Sequence, residues 1–191
     1  MIEFLYSVDV AVFFFLNHTI ANPILDWVMP FITDLNKQKP VLLLVLAWIV
    51  LVLWKGGKTG RSTIAVLIVT IVISDQLNSA ILKEFFGRIR PCRALEGVRM
   101  LVDCGGGLSF PSSHAVNNFA GAFVISSFYK KQKVYWYIFA SLVALSRPYV
   151  GVHYPSDIIA GGIIGMTIGF VTVSIWNFLY NYFTKINVTQ N

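Results

Sequence analysis

From Pro40 to Trp54 the chain reads PVLLLVLAWIVLVLW, without a single charge. A helix that is apolar all round has no face for water and belongs in a large core or in lipid. Further apolar runs follow at about 62–86, 113–130, 134–145 and 155–183, and a weaker one at 23–35 is interrupted by Asp26 and Pro30. With 56% hydrophobic and 13% charged residues in 191, the chain has too little polar surface to wrap these runs as a soluble domain. One crossing of a hydrocarbon core about 30 Å thick takes roughly 20 residues, so the length allows about six spans and no sizeable domain outside the membrane. The expected fold is an all-α, polytopic membrane helix bundle, residues 1–191 forming a single domain. A short helix at about 5–20 is expected to lie in the interface.

The opening MIEFLYSVDV has neither the basic start nor the cleavage site of a secretory signal, so nothing there reads as removable. A net charge of +6 raises the question of nucleic acid. The basic residues sit in short loops between apolar runs, however, with no basic helix and no aromatic interleaving, which favours anionic lipid instead. Cys92 and Cys104 share one loop; they can bridge if it faces an oxidising compartment, or stay as two thiols.

Charge inside such a chain has to be justified, because ionisable groups at membrane depth are costly and mark sites. Three clusters stand out. On the third run Asp75, Ser79 and Lys83 recur every four residues, which places them on one helical face, and Arg90-Pro91 ends that run. For Asp75 the preferred reading is a polar seam between helices. Pro111-Ser112-Ser113-His114 opens the fourth run, where serine hydroxyls suit the open amides of a first turn. SRPYVGVHYPSD, from Ser146 to Asp157, links the last two runs. If each run crosses once, all three clusters emerge on one side. The opposite side carries Lys55, Lys58, Arg61, Lys130, Lys131, Lys133 and Lys185 against Lys37, Lys39, Arg88, Arg93 and Arg99 beside the clusters, a weak bias that turns the clusters outward.

Lys83, Arg90 and Arg147, two histidines, a carboxylate and several hydroxyls suit a phosphate: lysine supplies a point charge, arginine a fork, and a helix start adds amides. His153 and Asp157 can pair, the carboxylate fixing one ring nitrogen and leaving the other as nucleophile or base. The plain alternative is a helix-start aspartate beside a membrane-edge aromatic ring. His18, near a polar helix end, reads as solvated or capping. Gly161, Gly165 and Gly169, at spacing four, read as a packing surface.

Taken together, Lys83-EFFGRI-Arg90-Pro91, Pro111-Ser112-Ser113-His114 and Ser146-Arg147-PYVGV-His153-YPS-Asp157 resemble the three-part signature of the type 2 phosphatidic acid phosphatase family. The resemblance implies phosphate removal through a phosphohistidine, with no metal and no cofactor. His153 would attack phosphorus, Asp157 would orient it, and His114 would protonate the leaving oxygen. Lys83, Arg90 and Arg147 would hold the phosphoryl oxygens, with Ser112, the Ser113 amide and Ser146 as further donors. The family usually has glycine where this chain has Ser113.

The substrates this implies are lipid phosphates on the periplasmic or outer face of the inner, or cell, membrane. They include lipid A, undecaprenyl diphosphate and phosphatidylglycerol phosphate, anionic phospholipids or glycolipids rather than nucleic acid. Arg88, Arg93 and Arg99 beside the site point to a headgroup with more than one anionic centre, and so to lipid A 1-phosphate. Solvated arginines holding lipid nonspecifically are the alternative. A lipid or anion transporter would also bury cations between helices, but would not need paired histidines with a carboxylate.

Overall fold

The computed structural model describes residues 2–189, which are helical almost throughout, with no strand among them. Helix α1 (Ile2–Phe14) widens into a π turn, Phe15–Thr19, and the chain bends by 116° into α2 (Pro23–Thr33). The bend is set locally: extended Asn22 accepts from the Ile24 and Leu25 amides at 3.1 and 3.0 Å, and Pro23 takes the first helical position. Next come α3 (Lys39–Lys55) and α4 (Gly57–Gln76), a second π turn at Leu77–Leu82 and the single turn α5 (Lys83–Phe86). Gly87, at φ +61°, stops α5 in the left-handed conformation that glycine adopts without strain. After α6 (Pro91–Ala94) and a long loop, α7 (Ser113–Phe128), α8 (Lys133–Tyr149) and α9 (Pro155–Thr189) complete the bundle.

None of the α3 side chains is buried; Leu43 and Leu44 are 67% and 70% exposed. A continuous apolar surface of that kind requires lipid around it, and the chain is an integral membrane protein. The segments Gly57–Ala94 and Pro155–Lys185 are each long and apolar enough to cross, and Glu3–Thr19 with Pro23–Thr33 makes a third candidate as one broken span. Six full crossings are thus more than the helices show. Helices α3, α7 and α8 have 17, 16 and 17 residues, roughly 24–26 Å at 1.5 Å per residue, short of a 30 Å core. The N-terminal segment also departs from the expected single interfacial helix, being the first arm of the bent pair.

The glycine stripe packs α9 against α7. A Cβ at Gly161 would lie 2.8 Å from Ala115 Cβ and one at Gly169 2.8 Å from Phe123 Cβ, so only glycine permits this approach. One turn before the stripe, the Asp157 carbonyl accepts from the Ser112 amide at 3.1 Å. Close packing therefore sets the second and third clusters side by side.

The second π turn changes which residues face inward. Asn78 is fully buried while Ser79 is exposed, so the expected four-residue face of Asp75, Ser79 and Lys83 is broken. Bonding from i to i+5 inserts a residue into the register, and a strict 3.6-residue count cannot anticipate it. Asp75 does join the seam: Asn117 Nδ2 donates to it at 3.2 Å, and Ser74 donates to Asn117 at 2.7 Å.

The long loop is pinned twice over the site. Cys92 and Cys104 form a disulfide. Gly151, at φ +93°, lets the turn after α8 lie against the Arg99 backbone, where a Cβ would come within 2.8 Å of the Arg99 carbonyl oxygen. Tyr149, Val150 and Val152 are buried there against Ile20, Leu25, Met29 and Leu101.

Candidate active site

His153 sits just before α9, and Asp157 in its first turn, as Pro155 requires of a helix it opens. Both residues are buried, His153 1% and Asp157 0% exposed, with His153 Nδ1 3.3 Å from Asp157 Oδ2. Oδ2 also accepts from Ser109 Oγ at 2.5 Å and from the Tyr154 amide at 2.8 Å, while Oδ1 accepts from Arg88 Nη1 at 2.7 Å. A carboxylate so surrounded by donors is an acceptor, so the imidazole proton belongs on Nδ1 and the lone pair on Nε2. Burial, outweighing the hydrogen bond to Asp157 and reinforced by the positive charge of Arg147, pushes His153 down from 6.5 to about 4. It is neutral at physiological pH.

The three expected cations converge on this pair. Lys83 lies within electrostatic reach of Arg90, Asp157 and Arg147, and His114 within reach of Arg147, His153 and Arg90. Each is held by neutral oxygens. Lys83 Nζ donates to the Leu108 carbonyl at 2.6 Å, Arg90 Nη1 to the Cys104 carbonyl at 2.8 Å, and Arg147 Nη1 to Thr33 Oγ1 at 2.5 Å. Among the described residues none of the three forms an ion pair. Buried Arg90 Nε, Arg147 Nε and Ser112 Oγ have no hydrogen-bond partner. Buried donors left unmatched are costly, about 1–3 kcal/mol each, and three in one place fit an anion.

His114, in the first turn of α7, sets Nε2 3.2 Å from the Thr33 carbonyl. A carbonyl only accepts, so Nε2 carries a proton. Thr33 thus touches both His114 and Arg147. The serines divide. Ser112 caps α7 with its backbone, since its hydroxyl makes no capping bond; that hydroxyl is one of the unmatched donors. Ser113 accepts at Oγ from Asn78 Nδ2 at 2.8 Å. Ser146 is a correction: α8 extends through Tyr149, and the Ser146 hydroxyl bonds back to the Val143 carbonyl at 2.7 Å, a helix-internal bond that leaves no proton for a phosphate.

The flanking arginines are held in three different ways. Arg88 pairs with Asp9 at 2.6 Å and Asp157 at 2.7 Å and covers the Tyr154 ring at 3.9 Å. Arg99 pairs with Asp26 at 2.8 Å and reaches the Asn17 carbonyl at 3.0 Å, and Arg93 donates to the Gly105 carbonyl. Arg88 is thereby taken up by two carboxylates, whereas Arg93 meets only a carbonyl and Arg99 keeps a buried Nη2 with no partner. Asp9, Thr33, Asn78 and Ser109 are the site's neighbours that the motifs leave out; an aspartate in an apolar first helix was the one signal available. His18 proves to be a tie to the long loop, Nε2 lying 2.9 Å from the Gly97 carbonyl.

Beside His114 lies a cavity of about 350 Å³, lined by Thr33, Asn36, Asp75, Asn117, Asn118 and Phe139 among others. It adjoins the imidazole on the side of the α4–α7 seam.

Residues 63–180 match the PAP2 superfamily. The chain is 32% identical over 174 residues to the lipid A 4′-phosphatase of Bacteroides thetaiotaomicron, covering 86% of this chain and 75% of the relative. It is 28% identical over 186 residues to undecaprenyl-diphosphatase BcrC of Bacillus subtilis, covering 89% and 92%. The crystal structure of Aquifex aeolicus LpxE superposes with a TM-score of 0.70 at 26% identity, over 86% of this chain and 94% of that one. This chain belongs to the PAP2 superfamily. It is a membrane lipid phosphatase.

Proposed function

We propose that the protein removes a phosphate monoester from a sugar-headed lipid of the lipid A class through a phosphohistidine on His153. The observation that carries this is the set of buried donors without partners, Arg90 Nε, Arg147 Nε and Ser112 Oγ, gathered beside a neutral histidine oriented by a carboxylate. Lys83, Arg90 and Arg147 hold the phosphoryl oxygens, with Ser112 and the Ser113 amide as additional donors. Phosphoryl transfer asks chiefly for such positioning and charge neutralisation. His153 Nε2 forms the N–P bond in line as the P–O bond breaks; Asp157 balances the charge growing on the ring. His114, doubly protonated when the anionic phosphate lies beside it, keeps Nε2–H on the Thr33 carbonyl, gives its other proton to the leaving oxygen and takes one back from the water that splits the N–P bond. The cations do the charge work that magnesium does in other phosphoryl-transfer enzymes, and no metal or cofactor is required.

Two features support the sugar-headed class over a polyprenyl diphosphate. The cavity beside His114, where the leaving group belongs, offers Thr33, Asp75, Asn117 and Asn118 to hydroxyls, whereas a prenyl chain presents none. One relative is itself named a lipid A 4′-phosphatase, and that name favours the 4′ position over the 1-phosphate expected from the flanking arginines. We read the protein as one domain with six crossings, α3, α7 and α8 spanning a locally thinned core. The Cys92–Cys104 bridge supports a site facing an oxidising space outside the inner membrane.

The test is detergent-solubilised enzyme with EDTA present, given bisphosphorylated lipid A, undecaprenyl diphosphate and phosphatidylglycerol phosphate. Turnover should be fastest on lipid A, with the position lost read from the product. His153→Ala should cost at least about 10⁴-fold in kcat, and acid-labile phosphate should label the wild type but not that variant. A His153→Ala enzyme that still turns over would remove the phosphohistidine.

A further inference from the structure

We propose that Asp9 of α1 is a positioning residue for the His153–Asp157 pair, acting through Arg88 and Ser156. The proposal rests on the phosphohistidine reading above. Residue 9 lies outside the 63–180 segment that matches the superfamily, yet its carboxylate gathers three donors from the site's own elements. Arg88 Nη2 reaches Oδ2 at 2.6 Å, Ser156 Oγ reaches Oδ2 at 2.5 Å, and the Ser156 amide reaches Oδ1 at 2.8 Å. Arg88 Nη1 in turn donates to Ser156 Oγ at 2.6 Å and to Asp157 Oδ1 at 2.7 Å. One guanidinium therefore spans two carboxylates, using a different nitrogen for each.

The division of labour on Asp157 is what this protects. Oδ1 is taken by Arg88, and Oδ2 is left to His153, Ser109 and the Tyr154 amide. If Asp9 were neutral, the whole positive charge of Arg88 would bear on Asp157 alone. Its carboxylate would then stabilise less of the positive charge that His153 gains as the N–P bond forms. The guanidinium would also lose the anchor that fixes its plane against Tyr154, and errors in nucleophile placement are amplified in rate. The Asp9 carboxylate is 9% exposed on the side-chain scale, so solvent screens this charge sharing weakly. Asp9 touches no reacting atom. Its effect belongs in kcat rather than in substrate binding.

The test is a double-mutant cycle in the full-length, detergent-solubilised enzyme, with His153→Ala as control and lipid A as substrate. Asp9→Asn should lower kcat by about 10- to 100-fold, leave KM within about twofold, and be largely reversed by Asp9→Glu. In an Arg88→Gln background the same Asp9→Asn change should cost less than about twofold, because the intermediary is already gone. Equal losses in both backgrounds, or an unchanged kcat in the Arg88 enzyme, would overturn the proposal. Should Asp9→Asn not accumulate as folded protein, Ser156→Ala takes its place, with a several-fold kcat loss confined to the Arg88 background expected and any other pattern counting against it. Turnover retained by His153→Ala would instead defeat the phosphohistidine reading itself.

Discussion

Two sets of basic residues lie within one short stretch of space and are held in opposite ways. Arg88 and Arg99 each meet a carboxylate, at 2.6–2.8 Å. Lys83, Arg90 and Arg147 meet only carbonyl or hydroxyl oxygens; Arg90 and Arg147 keep a buried Nε with nothing to donate to, as Arg99 does at Nη2, so the counter-ion and not the spare donor separates the sets. A charge withdrawn from water without a counter-ion destabilises the fold. The second set is therefore a cost to stability kept for what it can bind, and the first set holds other residues in place, Arg88 at Asp157 and Arg99 at the long loop. Sequence position does not separate them, since Arg88 and Arg90 are two residues apart.

The largest expected effect tests that opposition directly. Arg147→Gln should reduce kcat/KM by about 10³-fold or more, as loss of a donor to developing phosphoryl charge does, while the thermal midpoint holds or rises. Inorganic phosphate should raise the midpoint of the wild type by mass action and fail to do so for the variant. A variant that loses both activity and stability would place Arg147 with the structural arginines.

The second effect comes from His153. Burial holds its folded pKa near 4 against 6.5 when unfolded. Between those values the unfolded chain binds the extra proton and the folded one does not, so stability is complete above about pH 6.5 and is lost as pH falls toward 4. For a group this buried the loss approaches roughly 3 kcal/mol. Unfolding midpoints measured from pH 7.5 to 4.5 should show it, and His153→Ala should flatten the profile. In activity, His153 should impose no acid limb on kcat/KM above about pH 5. Arg147→Gln, by removing a positive neighbour, should move that limb upward; a limb that stays in place would mean the two groups are not coupled.

A smaller effect is expected on the other side of the comparison. Arg99 and Asp26, with Asn17 and Tyr149, tie the long loop to the α1–α2 bend: Asn17 Nδ2 donates to the Arg99 and Tyr149 carbonyls, both at 2.8 Å, and Tyr149 Oη donates to Asp26 at 2.6 Å. Arg99→Ala should lower the midpoint by a few degrees and leave kcat within about threefold. A hundredfold loss of kcat would return Arg99 to the substrate side.

Much of the site was legible because its chemistry is written at short spacing. Lys83 to Arg90, Ser112 to His114 and Arg147 to Asp157 each lie on one local segment, and the glycines that bring α7 and α9 together recur at a helical period. What could not be read is what crosses the fold. Asp9 meets Ser156 across 147 positions and Thr33 meets Arg147 across 114; nothing in either residue's neighbours announces the partner. The inward turn of Asn78 in place of Ser79 depends on a π turn, which apolar periodicity does not encode. Ser146 escapes the spacing for a related reason. The apolar run predicts a loop from residue 146 where α8 continues, and a helical serine spends its hydroxyl on its own backbone.

Ser113 is the subtlest case, because it stands where the family usually has glycine. Glycine at such a place lets a ligand approach the backbone closely, so a side chain there raises the prospect of a damaged cradle. The hydroxyl is instead engaged by Asn78 Nδ2 at 2.8 Å, on the wall that the second π turn supplies. Asn78 is fully buried and its Oδ1 has no partner of its own, so the bond to Ser113 is one of the few things holding that amide in place. Ser113→Gly should therefore cost stability, about 1–2 kcal/mol for an amide left with only the long, 3.5 Å bond to the Pro111 carbonyl, and change kcat/KM by less than about threefold. Asn78→Ala in the glycine background should restore part of that stability, because the stranded amide is then removed. A tenfold gain in activity from Ser113→Gly would mean that the serine obstructs the phosphate and that its pairing with Asn78 does not shield the cradle.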